Sequence, residues 1–83
     1  MKLQSRKMHK NTHYTLTIIG SNESEVNALA DVIDENRLDY NMDYLDFFQE
    51  DGSFHAEFCC HRSHKDKAID FINREISKFK KSK

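Results

Sequence analysis

Two segments of the chain alternate between apolar and polar positions. The apolar residues on one side are Tyr14, Leu16 and Ile18 in residues 13–20, and Phe54, Ala56, Phe58 and Cys60 in residues 53–61. A period of two, combined with β-branched and aromatic side chains, predicts strands with one buried face. Each segment is therefore expected to have a core side and an open side.

Two further segments repeat apolar residues at helical spacing. These residues are Val26, Leu29, Ala30 and Ile33 in the first segment and Ile69, Ile72, Ile76 and Phe79 in the second. Such spacing predicts amphipathic helices, each with one apolar stripe. Residues 21–24 offer N-cap side chains for the first helix, which we expect to end near Asn36 or Arg37. Ser63 and Asp66 resemble a capping box for the second.

A third strand is predicted over residues 39–49, although its apolar positions change phase along the segment. A β-bulge between Asp43 and Asp46 would reconcile the two phases. The following residues, 50–53, contain an Asp-Gly pair, which favours a tight hairpin turn. The strand of residues 53–61 is thus expected to pair with it directly.

The order of predicted elements is β-α-β-β-α. A right-handed crossover after the first strand gives three antiparallel strands in the order 1-3-2, with both helices on one face. Over residues 13–80 this α+β pattern resembles a truncated ferredoxin-like (ACT-like) fold without its last strand. The resemblance carries no functional residues. Residues 1–12 are interpreted as a basic tail, residues 13–80 as a single domain, and residues 81–83 as a basic end.

In this interpretation the outer edge of the first strand is open, and its backbone groups need a partner. The candidates are residues 1–12 as an extra edge strand, a second copy of the chain, or a strand from another protein. We expect a homodimer, formed through this edge or through the open sheet face. The residues of that edge or face are His13, Thr15, Thr17, His55, Glu57, Cys59 and His61.

Length and composition limit the class of protein. The 83 residues suffice for one small domain with a thin core, and no apolar run approaches the roughly 20 residues needed to cross a membrane. Residues 1–11 have no apolar region typical of a secretory signal. The two cysteines are adjacent, which does not suit a disulfide scaffold. We therefore expect a cytoplasmic protein.

Charge is strongly segregated along the chain. Residues 21–51 carry ten acidic side chains and one arginine, a net charge of −9, whereas the remaining residues carry a net charge of +8. An acidic surface of this kind attracts a basic protein surface and repels nucleic acid. The residues predicted to bind such a partner are Asp31, Asp34, Glu35, Asp39, Asp43 and Asp46.

Cysteines and histidines near residues 55–64 have the side chains of a metal or catalytic site, but their spacing does not suit one. Cys59 and Cys60 point to opposite faces of a strand, and His55 lies about 13 Å from Cys59 along it. Cys59, His61 and His64 alone are too few for tetrahedral zinc. A Cys59–His61 nucleophile pair lacks an oxyanion hole, and the two glycines cannot cradle phosphate. We expect no metal, no cofactor and no enzymatic activity.

The resulting hypothesis is a non-enzymatic inhibitor or adaptor that docks an acidic surface on a basic partner. The absence of Pro and Trp, with many Lys, Asn, Asp, Ile and Phe residues, is typical of short AT-rich reading frames. Small phage or mobile-element proteins that block a host enzyme or defence complex often have this composition. Two alternatives remain open: an ACT-like domain that binds a small molecule, and a nucleic-acid binder that uses the basic ends.

Overall fold

The computed structural model describes residues 1–7 and 12–81 as an α+β fold. In chain order its elements are β1 Lys2–Lys7, β2 His13–Gly20, α1 Glu23–Glu35, β3 Met42–Glu50, β4 Ser53–His61 and α2 Lys65–Lys81. The strands form one antiparallel sheet in the order β1-β2-β4-β3. A hairpin followed by a helix thus occurs twice, and the second strands of the two units pair at the centre of the sheet.

The sheet has four strands, so the predicted number of three is wrong. The segment interpreted as a basic tail contains β1, which pairs with β2 from Lys2 opposite Ile19 to Lys7 opposite Tyr14. The outer edge of β2 is therefore covered by the chain's own N-terminal segment. The order predicted for the other strands is confirmed, because β4 lies between β2 and β3. Residues 8–11 and 82–83 of the predicted basic ends lie outside the described residues.

One apolar cluster joins the two helices to one face of the sheet. Its buried members include Leu16 and Ile18 of β2, Ala56, Phe58 and Cys60 of β4, Val26, Leu29, Ala30 and Ile33 of α1, and Ala68, Phe71, Ile72 and Ile76 of α2. The strand members all occupy the alternating positions predicted for the core side. Both helices therefore cover the same face, as the sequence pattern predicted.

β3 begins later than predicted and contains the expected bulge. Residues Arg37–Tyr40 form a 3-10 turn instead of strand, and Asn41 ends it in the left-handed conformation at φ 52°. The pairing of β3 with β4 shifts between Tyr44 and Asp46, which confirms the bulge. The turn from β3 to β4 has positive φ at Asp51 and Gly52, 52° and 78°, as a two-residue hairpin requires.

The helix starts differ in how well the sequence predicted them. The Asn22 side chain accepts a hydrogen bond from the Glu25 backbone N–H (3.1 Å), so α1 has a capping residue of the predicted type. The N-terminus of α2 is not stabilised by the predicted capping box of Ser63 and Asp66. A 3-10 turn at Arg62–His64 delays the helix, and His61 Nδ1 instead accepts the Ser63 backbone N–H (3.1 Å). Neither helix has the length and apolar content to cross a bilayer within the described residues.

Candidate functional site

Six carboxylates of α1, the 3-10 turn and β3 are exposed or half-buried. We call them the acidic surface: Asp31, Asp34, Glu35, Asp39, Asp43 and Asp46, the residues predicted to bind a partner. The pKa of the Tyr44 phenol is raised, first by burial and then by the charges of Asp31, Asp34 and Asp46. The charges of carboxylates from both α1 and β3 act on the same phenol, so Asp31, Asp34 and Asp46 lie near Tyr44.

The acidic surface continues around the edge of the sheet. Asp43 and Asp46 pair with Cys59 and Glu57 of β4, at positions whose side chains alternate onto the face away from the helices. The pKa of Cys59 is raised by its burial and by the charge of Asp43. The carboxylates therefore extend from the outer side of α1, past Tyr44, to the open face of the sheet. Asp39 lies in the turn between the two elements.

Few cations among the described residues neutralise the acidic surface. Among the described residues, Asp34 is its one member in an ion pair, with Arg37 at 3.5 Å. Three cations of β1 and α2 pair with other carboxylates: Arg6 with Glu57 (3.9 Å), Lys65 with Asp66 (3.8 Å) and Lys78 with Glu75 (2.8 Å). The charge of the acidic surface is therefore directed toward solvent or a partner.

Two exposed leucines lie within the acidic stretch. Leu38, in the 3-10 turn next to Asp39, is 82% exposed, and Leu45, at the β3 bulge beside Asp46, is 50% exposed. Neither leucine is among the residues predicted to bind a partner. The available signal was the change of phase in residues 39–49, because Leu45 is the residue that the bulge expels from the alternation. If a partner buried these two side chains, each would add apolar contact area beside the carboxylates.

The seven residues predicted for a dimer edge or face do lie together on the open face of the sheet. Across its central strands, His13 faces His61, Thr15 faces Cys59, and Thr17 faces Glu57. His55 stacks on Phe48 at 4.8 Å between ring centroids. Because β1 covers the edge of β2, this face is the part of the predicted dimer surface that remains accessible. Pairing of two copies through it stays a prediction.

The threonines of this face are shielded by neighbouring side chains. Thr15 and Thr17 are each only 7% exposed, although no helix packs on this side. β2 lies between β1 and β4, so the Arg6–Glu57 ion pair, which joins β1 to β4, passes over β2. A small polar cavity of about 180 Å³ adjoins this ion pair and also contacts Phe48 and His55. It is smaller than the roughly 300 Å³ at which small-molecule pockets begin.

The two thiols have surroundings that disfavour the thiolate. Cys60 is fully buried, and burial together with the neighbouring Cys59 raises its pKa to about 11. Its S–H lies 3.4 Å from the carbonyl oxygens of Tyr40 and His61. Since the thiolate is the nucleophile and the metal ligand, raised pKa values weaken both roles.

The histidines near the end of β4 contact one another and Ser63. The Ser63 hydroxyl lies 2.8 Å from His61 Nδ1 and 2.9 Å from His64 Nδ1, while His13 contacts the His61 ring edge-on. Among the described residues no three His, Cys, Asp or Glu side chains are arranged to hold a metal ion. The contacts of this cluster therefore position the start of α2.

A larger groove of about 590 Å³ runs along α2. It is lined by Tyr40, Lys67, Asp70, Asn73, Arg74 and Ser77. Tyr40 stacks on Phe71 at 4.6 Å, and this contact fixes one wall of the groove. The α2 residues that line it are all exposed, so the groove presents no buried polar group that would orient a ligand.

Comparison with known proteins gives no relative. No protein-family model, curated protein or solved structure matches the chain.

Proposed function

We propose that this protein is a non-enzymatic protein-binding module, an inhibitor or adaptor, that docks the acidic surface on a basic surface of another protein. The observation that supports this proposal is the combination of six carboxylates with the exposed Leu38 and Leu45, in a region where Arg37 is the one cation in an ion pair with the acidic surface among the described residues. Such a surface provides both the charge and the apolar contacts that protein recognition uses.

The two components have different physical roles. Uncompensated carboxylates accelerate encounter with a basic partner and exclude acidic ones, and their effect declines as salt rises. Burying a leucine side chain fully contributes roughly 1.5–3 kcal/mol, so Leu38 and Leu45 would supply affinity that is insensitive to salt. A partner with a basic rim around an apolar pocket fits this pattern.

The strand order supports a more specific fold assignment. We propose that the fold is ferredoxin-like, with β1 in the place of the strand that the pattern lacks after α2. β1 pairs antiparallel with the outer edge of β2, the position that the sequence pattern left open. The missing strand is then provided from the N-terminal end of the chain.

A pair of charge reversals tests the proposed function. Asp31→Lys with Glu35→Lys changes two carboxylates four residues apart on α1, and Asp66→Lys with Asp70→Lys makes the same change of net charge on α2. Tagged versions of both variants and of the unchanged protein are incubated with cell lysate, and captured proteins are identified by mass spectrometry. Circular dichroism confirms that each variant is folded.

We expect the unchanged protein and the α2 variant to retain the same basic protein, and the α1 variant to lose it. Replacing Leu38 and Leu45 by Ser should weaken capture even at low salt, because the apolar contribution is removed. Equal capture by the α1 and α2 variants would refute the proposal, since a general effect of net charge would then explain binding.

A further inference from the structure

β3 is an edge strand whose outer side is not paired with another strand of the described chain. Its nine residues form the end of the sheet opposite β1, and β4 contacts only its inner side. In an antiparallel ladder, about half of the backbone N–H and C=O groups of an edge strand point outward. These groups are available to an additional strand.

The side chains of β3 select the charge of any strand that pairs with it. Asp43, Asp46 and Glu50 are exposed, and Asp51 follows in the turn. β3 contains no Lys or Pro, and the features that limit its pairing with other strands are its carboxylates and its bulge. Pairing of β3 with β3 of a second copy would place carboxylates opposite carboxylates. Like charges directly across two strands are destabilising.

Pairing of β3 with β1 of a second copy is also less suitable than pairing with a different protein. β1 is basic, so β1 of one copy attracts β3 of the next. That contact joins unlike surfaces and so builds a ring or an open filament, whereas the commonest soluble oligomers are two-fold dimers that pair the same surface of each copy. An extended basic segment of another protein complements the charge of β3 and does not lead to an open-ended assembly.

We propose that a Lys- or Arg-rich extended segment of the partner adds to β3 as a fifth strand. This inference rests on the proposed function and specifies how the acidic surface is used. Main-chain hydrogen bonds provide affinity, while Asp43 and Glu50 select basic side chains on the added strand. Leu45 at the bulge contacts an apolar side chain of the segment. The Phe47 backbone N–H already donates a hydrogen bond to Asp46 Oδ1 (2.8 Å). We therefore expect the added strand to pair with the residues of β3 that precede and follow Phe47.

Synthetic peptides test strand addition directly. The probe is a nine-residue peptide that alternates Lys and Val, which matches β3 in length. Two analogues carry backbone N-methyl groups, one at the odd and one at the even positions, so each lacks the donors of one edge. A Lys/Ala peptide of equal charge and high helix propensity is the charge control. Binding to the ¹⁵N-labelled protein is followed by NMR titration, and amide hydrogen exchange is compared with and without peptide.

We expect the alternating peptide to bind and to slow exchange of amides within residues 42–50. One N-methyl analogue should bind about tenfold or more weakly, because several main-chain hydrogen bonds are lost, and the other should bind like the parent. The helical peptide should bind more weakly than the alternating one and leave exchange of β3 unchanged. Asp43→Lys should reduce binding of the alternating peptide, with Asp70→Lys as the control.

Three results would overturn strand addition. These are equal binding of both N-methyl analogues and the parent, equal binding of the helical peptide, and slowed exchange in β1 in place of β3. Absence of binding by every peptide would also overturn it. Each of these results leaves the α1 and α2 charge-reversal comparison unaffected, so failure of strand addition is distinguishable from failure of the proposed function.

Discussion

The close contact between β2 and α1 at Gly20 makes Gly20→Ala an informative substitution. A Cβ at this position would lie 2.8 Å from Cγ2 of Val26 and 2.7 Å from Cγ of Met1. Real Cβ atoms essentially never approach so closely, so neighbouring atoms must move. Met1 is a flexible, half-buried side chain at the start of the chain, whereas Val26 is fully buried in the first turns of α1. The cost is therefore set mainly by Val26.

The expected magnitude follows from two opposing effects. Overpacking a core position costs about 1–3 kcal/mol. Gly20 does not have a positive φ, so alanine can adopt its backbone conformation and gains about 0.4–1 kcal/mol through the less flexible unfolded chain. We expect Gly20→Ala to lower the free energy of unfolding by about 1–2 kcal/mol. Val26→Ala alone should cost about 2–3 kcal/mol, from lost burial and the cavity.

A double-mutant cycle isolates the contact. In the protein with both substitutions, the new methyl group of residue 20 occupies space vacated by Val26, so the combined loss should be smaller than the sum by about 1 kcal/mol or more. Urea unfolding followed by circular dichroism measures all four proteins, and a slope near 1 kcal/mol/M converts the single effect of Gly20→Ala into a midpoint shift of about 1–2 M. An unchanged midpoint for Gly20→Ala, or additivity of the two substitutions within about 0.5 kcal/mol, would refute the reasoning.

Two further predictions concern a helix cap and a buried thiol. Asn22→Ala removes the side-chain acceptor for the Glu25 N–H and should lower the free energy of unfolding by about 1 kcal/mol in urea, while Asn22→Asp should retain most of it. Burial raises the pKa of Cys60 from 9.0 to about 11, so above pH 9 the unfolded chain loses this proton while the folded chain keeps it. The free energy of unfolding should therefore fall by roughly 2 kcal/mol between pH 9 and 11, a component that Cys60→Ala should lack when alkaline unfolding curves are compared.

The elements with a clear hydrophobic period were predictable from the sequence. β2 and β4 have the predicted bounds, and α1 begins after Asn22 and ends at Glu35, next to the predicted Asn36. The bulge in β3 was also predictable, since a period of two cannot shift phase without an extra residue. In each case the spacing of apolar residues within the element predicts which of its faces is buried.

β1 was not predictable in this way because its stability comes from its neighbour. Leu3 is its one apolar residue, and the other five are polar or charged. An edge strand can be formed largely by hydrogen bonds to the adjacent strand, and its own side chains need not alternate. The start of α2 shows a similar limit, because the 3-10 turn before it is held by His61, a residue without a general capping preference.

The candidate site was predictable in charge but not in detail. The excess of carboxylates in residues 21–51 is a property of composition, and it identified the acidic surface. The exposure of Leu38 and Leu45 depends on a turn and a bulge, which are three-dimensional features. The change of phase in residues 39–49 was a signal for Leu45. No pattern marked Leu38, because its exposure depends on the 3-10 turn that replaces the predicted start of the strand.

The repeated order of hairpin and helix has a consequence for the sequence of events during synthesis. β1, β2 and α1 are complete by Glu35, yet the inner side of β2 has no strand to pair with until β4 ends at His61. The first half of the chain therefore leaves the ribosome with its central strand unsatisfied and half of its apolar core uncovered. Only insertion of β4 between β2 and β3 completes the sheet, so the second half acts as the template on which the first becomes stable.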